Sequence, residues 1–140
     1  MNLKIFTVII NLIAGNIVLF KYFPMQDESV IYRGGVYTAF NLIALAVLFV
    51  SWKYLKSVGG SFLFLKCLSL GIAGSFLIAL LGLETSFIAV NIKNDPQRSL
   101  LLVLFSSSVV TFLALIPAAL FWGSLGILNG FLFYLIKRYA

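Results

Sequence analysis

Long apolar blocks separated by short polar breaks organise this chain from its first residues to its last. The first block covers residues 3–20 and stops at Lys21-Tyr22-Phe23-Pro24, where proline blocks helix continuation and the aromatics suit a membrane interface. The second begins after Gly34-Gly35, read as a breaker, and covers residues 36–54. It ends in Trp52, Lys53, Tyr54 and Lys56, an aromatic and basic collar of the kind found where a helix leaves hydrocarbon. Gly59-Gly60 marks the next turn, and a third block covers residues 62–88. Asn94-Asp95-Pro96 is the strongest polar break, with Asp95 read as a turn or cap residue. A fourth block then covers residues 100–136.

A helix crosses a hydrocarbon core of ~30 Å with ~20 residues, so these blocks predict an all-α, polytopic transmembrane helix bundle in one domain spanning residues 1–140. Four spans are expected. The last block is the difficulty, because residues 99–136 carry no charge and one straight helix of that length would measure ~57 Å. The expectation is one helix that is broken near Pro117 or at Trp122-Gly123-Ser124, or strongly tilted; the alternative is five spans, with the block divided into residues 100–116 and 118–136. That division needs an unusually apolar turn.

Composition points the same way. Hydrophobic residues make up 62% of the 140, charged residues 10%, and mean hydropathy is +1.11. A soluble chain of this size has no means of hiding so much apolar surface. The N-terminal block, with Lys4 ahead of an apolar run, has the outline of a secretory signal but lacks a clean small-x-small cleavage site, and is read as an uncleaved first span.

The formal charge of +6 is dispersed over loops and ends, which excludes a clustered nucleic-acid face and leaves the basic residues to set topology and meet anionic head groups. Four spans with a cytoplasmic N-terminus put Lys4, Lys53, Lys56, Lys66, Lys137 and Arg138 inside and Lys21, Arg33, Lys93 and Arg98 outside. Five spans give the same imbalance of six to four, with Lys21, Arg33, Lys93, Arg98, Lys137 and Arg138 inside, so the count does not choose.

Catalytic chemistry finds little support. Histidine is absent and Cys67 is the single cysteine, which removes histidine-held haem, ordinary zinc sites, Cys-x-x-Cys pairs and intramolecular disulfides. Cys67 is read as a small buried hydrophobe. Asp27 and Glu28 are adjacent and read as solvated loop residues, because no second acid cluster or histidine completes an acid-base set. Phosphate-cradling glycine loops and Gly-x-Ser-x-Gly elbows are missing. No enzyme activity, cofactor or metal is expected.

Two sets of residues remain. Gly71, Ser75 and Ala79, Ala119 with Gly123, and Gly126 with Gly130 place small side chains four apart, the spacing that lets helix backbones approach closely in lipid. They serve the bundle itself or an interface with another chain. The second set is intramembrane and polar: Asn11, Asn16, Asn41, Ser106, Ser107, Ser108, Thr111 and Asn129, which are expected to turn inward as interhelical glue or to line a narrow path. Lys66 and Glu84 belong with them. Seventeen residues, ~25 Å of helix, lie between these two, so both reach opposite interfaces by snorkelling unless one lies at mid-depth.

The sequence thus favours a small non-enzymatic protein of a bacterial inner (cytoplasmic) membrane that acts through helix packing as a subunit or accessory factor of a membrane complex. Its partners would be the lipid bilayer and other membrane subunits or further copies of itself, with no nucleic acid. The alternatives are a small oligomeric transporter, channel or lipid-handling protein, and a membrane immunity or inhibitor protein.

Overall fold

A computed structural model describes residues 2–22 and 29–139, with the Tyr22 side chain left out. The sequence readings at Phe23, Pro24, Asp27 and Glu28 lie outside the described residues. Four helices account for nearly all of the rest: α1 (Leu3–Tyr22), α2 (Val30–Ser57), α3 (Leu63–Asn94) and α4 (Leu100–Tyr139). All four are long and apolar enough to cross a membrane. The chain is therefore an all-helical integral membrane protein, because only hydrocarbon tolerates side chains such as Phe20, Leu101 and Leu120 at 72%, 80% and 86% exposure together.

The helix boundaries depart from the sequence reading in one consistent direction. Gly34 and Gly35 do not break α2, which starts at Val30 behind an N-cap in which the Ser29 hydroxyl accepts the Tyr32 amide at 3.2 Å. Pro117 does not break α4, which runs as one helix of 40 residues, ~60 Å, so neither the expected break nor a fifth span is found. The physical reason is common to both. A glycine costs a helix only ~1 kcal/mol, and a proline removes one amide donor, whereas unwinding in lipid would strand several backbone groups at once. Likewise α3 continues past residue 88 to Asn94.

The two described turns are built differently, one by left-handed backbone and one by caps at its two ends. Gly60 at φ 74° and Phe62 at φ 63° are both left-handed and reverse the chain between α2 and α3; glycine takes this conformation freely, phenylalanine at a cost. At the other reversal Asp95 caps α3 by donating its amide to the Asn91 carbonyl at 3.0 Å. Ser99 then opens α4, its hydroxyl accepting the Leu102 amide at 3.4 Å.

Neighbouring helices run antiparallel. Lys4 at the start of α1 shares a cavity with Trp52 and Lys56 at the end of α2 and Lys137 at the end of α4, while at the opposite end Lys93 of α3 lies 4.7 Å over the Tyr32 ring of α2. The first end holds Lys4, Lys53, Lys56, Lys66, Lys137 and Arg138; the second holds Lys21, Arg33, Lys93 and Arg98 together with Asp95.

The seam between α3 and α4 is the most extensive in the bundle. Its closeness comes from glycine: a Cβ on Gly126 would stand 2.6 Å from the Ile72 Cα, and one on Gly130 would stand 2.6 Å from the Leu68 Cα. Gly71 faces both of these glycines across the seam, backbone to backbone. A second device joins the other helices. The fully buried Phe40 ring of α2 is held between Gly15 of α1 and Gly82 of α3.

Candidate functional site

Inside this frame the polar residues gather into separate groups at different depths. The central group is closed on itself. Asn11 of α1 and Asn129 of α4 exchange two hydrogen bonds, Nδ2 of Asn11 to Oδ1 of Asn129 at 2.8 Å and Nδ2 of Asn129 to Oδ1 of Asn11 at 2.9 Å. The remaining amide hydrogens go to the Thr7 carbonyl and to the Ser75 hydroxyl of α3, each at 2.8 Å. Thr7 in turn donates its hydroxyl to the Leu3 carbonyl. All four side chains are at most 1% exposed. Every amide hydrogen is thereby used, and three helices are tied together in a place with no room for water.

A second group ties α3 to α4 towards the other end. Asn91 donates to the Ser107 hydroxyl at 2.8 Å and to the Ser106 hydroxyl at 3.4 Å, and the Ser108 hydroxyl donates to the Glu84 carboxylate at 3.1 Å. Asn91 is absent from the sequence-level candidates because the third helix was expected to end near residue 88, which left it in a loop. Its distance of 15 and 16 residues from the serines gives no local signal. Thr111 is fully buried nearby in sequence, and its hydroxyl has no partner among the described residues.

Glu84 and Lys66 do not come together. Lys66 is exposed at the basic end and donates its ammonium to the Gly59 carbonyl of the α2–α3 turn at 2.9 Å. It lines a groove of about 600 Å³ with Tyr54 and Ser69. Glu84 is half-buried, 18 residues further along α3, ~27 Å away by helical rise.

Gly71, Ser75 and Ala79 are all buried on one stripe of α3, and Gly126 and Gly130 are buried on α4. Those stripes are occupied by the chain's own seam. Ala119 and Gly123 are half-buried, and a Cβ built on Gly123 meets nothing within 4 Å.

Asn16 and Asn41, like Thr111, lack partners among the described residues. Both are half-buried, and each side-chain oxygen is enclosed without any donor among the described residues. They sit at one level of the α1–α2 seam, each directly following the Gly15 and Phe40 contact. Asn41 is near the middle of α2, and Asn16 lies within the apolar span of α1. Elsewhere, an apolar crevice of about 330 Å³ between α2 and α3 is walled by Ile31, Tyr32, Val36, Ala39, Thr85 and Ala89.

Among the described residues no group of three or more His, Cys, Asp or Glu side chains converges to hold a metal, and Cys67 is a fully buried free thiol. Comparison of the chain with protein-family models, curated proteins and solved structures returned no match.

Proposed function

We propose that the protein is a non-enzymatic component of a bacterial-type inner membrane that works by packing against another membrane-embedded chain, as a small subunit or accessory factor of a complex. The observation that carries this reading is the pair Asn16 and Asn41. An amide in hydrocarbon costs several kcal/mol unless its donors and acceptor are met, and the same chain meets every such demand at Asn11 and Asn129. The α1–α2 face leaves both oxygens without a donor. The enclosed oxygens are out of reach from outside, but the two amide nitrogens are not among the enclosed atoms, and a neighbouring helix bearing a hydroxyl or carbonyl acceptor at that depth would meet them.

The stripe of Gly71, Ser75 and Ala79 and the pair Gly126 and Gly130 do not serve this contact, because α3 and α4 already use them on each other. Helical rather than barrel architecture is in keeping with an inner membrane, and the six-to-four excess of Lys and Arg favours the end with Lys4, Lys53, Lys56, Lys66, Lys137 and Arg138 facing the cytoplasm.

Blue-native electrophoresis of gently solubilised membranes tests the proposal. The chain should migrate well above its 15.5 kDa mass, and the double substitution Asn16→Leu/Asn41→Leu should release it. A lone chain in every mild detergent would refute the reading.

A further inference from the structure

The basic end of the bundle contains a cavity that none of the preceding argument uses. It measures about 290 Å³ and is lined by Lys4 of α1, Trp52, Leu55 and Lys56 of α2, and Ile136 and Lys137 of α4. Three lysines from three helices thus line one recess. The helices that build it, α1, α2 and α4, contain no acidic residue anywhere in their described lengths, so no carboxylate of theirs balances that charge, and only C-terminal carbonyls such as that of Lys56 offset part of it.

The two apolar linings are well packed, Leu55 at 4% and Ile136 at 6% exposure, so the walls are fixed rather than floppy. Lys137 is held in place by donating to the Lys56 carbonyl at 2.9 Å, which positions its ammonium at the rim and uses only one of its three hydrogens. The Trp52 ring completes the wall, its indole N–H enclosed and without an acceptor among the described residues; a tryptophan ring at this level suits the membrane interface.

We infer that this cavity binds the phosphate of an anionic phospholipid head group. Lys4, Lys56 and Lys137 supply charge, and the Trp52 ring supplies an apolar wall at interface depth. The position is right for a lipid and wrong for a soluble anion: the recess lies where three membrane-spanning helices end, so a phospholipid delivers its phosphate there while its acyl chains stay in the bilayer beside the exposed Ile5 and Ile9 of α1. The volume lies at the lower edge of the range for ligand sites, suited to a head group rather than to a whole lipid. Scattered loop lysines would attract anionic membranes without preference for a place. Here the prediction is of a site.

Native mass spectrometry of the full chain released from detergent, with phosphatidylglycerol or phosphatidylcholine added at low molar ratio, separates site from diffuse attraction. The expected result is a retained phosphatidylglycerol adduct and little phosphatidylcholine. Lysines beside an anionic surface contribute enough that three together are worth about a hundredfold. The triple substitution Lys4→Gln/Lys56→Gln/Lys137→Gln should therefore weaken phosphatidylglycerol binding at least tenfold. Lys53→Gln/Lys66→Gln/Arg138→Gln removes the same charge from the same end outside the cavity and should leave binding within about threefold. Trp52→Phe keeps an aromatic wall, removes only the enclosed N–H and should leave binding within about threefold. Equal losses in the two triple variants, or equal retention of the two lipids, would overturn the inference. So would displacement of the lipid by millimolar inorganic phosphate, which would assign the cavity to a free anion. Far-UV circular dichroism of each variant confirms that helix content is unchanged.

Discussion

Replacing Asn129 by leucine removes three hydrogen bonds at once, two to Asn11 and one to Ser75. In a membrane interior an interhelical hydrogen bond is worth ~0.6 kcal/mol on average and up to ~1.7 kcal/mol, because the unfolded chain in lipid also finds partners. Three such bonds give an expected loss of about 2 kcal/mol for Asn129→Leu, with about 5 kcal/mol as the ceiling. Asn11→Leu loses the same two shared bonds plus its bond to the Thr7 carbonyl and should cost a similar amount. The double variant is the informative one. With both amides gone neither leaves the other orphaned, and only the Ser75 hydroxyl still lacks its partner, so the pair should cost less than the two single changes combined, by a coupling of about 1 kcal/mol for the two shared bonds. Reversible unfolding in mixed micelles titrated with dodecyl sulfate, followed by far-UV circular dichroism, measures all four corners of the cycle. A coupling below about 0.3 kcal/mol, or a neutral Asn129→Leu, would show that the amides do not hold α1 and α4 together and would refute the account of the central group.

Two further outcomes follow from the same geometry. Gly126→Val should destabilise the chain by about 2 kcal/mol or more, because its Cβ would fall 2.6 Å from the Ile72 Cα and forcing extra carbons into a packed seam typically costs 1–3 kcal/mol; Gly123→Ala, three residues away and facing open space, should stay within about 0.5 kcal/mol of the parent in the same titration. Ser108→Ala removes the hydroxyl that donates to Glu84 and should cost about 1.5–3 kcal/mol. The additional change Glu84→Gln should recover part of that loss by removing the carboxylate that Ser108 had solvated, and a further drop on adding it would contradict the assignment.

Local features carried much of this architecture. Hydropathy and block length identified a lipid-soluble, all-helical chain with four long elements, since a span needs only enough consecutive apolar residues. The turns at Gly59-Gly60 and at residues 94–98 were legible for the same reason, as left-handed glycine and side-chain caps act within a few residues. Where local signals compete with the solvent, the sequence misleads: Gly34, Gly35 and Pro117 are helix breakers in water, but in lipid the stranded backbone groups cost more than the breakers do.

What only the tertiary structure decided is which polar and small residues meet. Asn11 and Asn16 look alike as sequence, yet Asn11 closes a pair with Asn129 at a separation of 118 residues while Asn16 keeps an enclosed oxygen without a donor. The Gly71 contact with Gly126 and Gly130, and the gathering of Lys4, Lys56 and Lys137 around one cavity, depend likewise on how far each helix is rotated and slid against its neighbours. Rotation and register are set by the summed packing of whole helix faces. A residue's own type and immediate context contain neither.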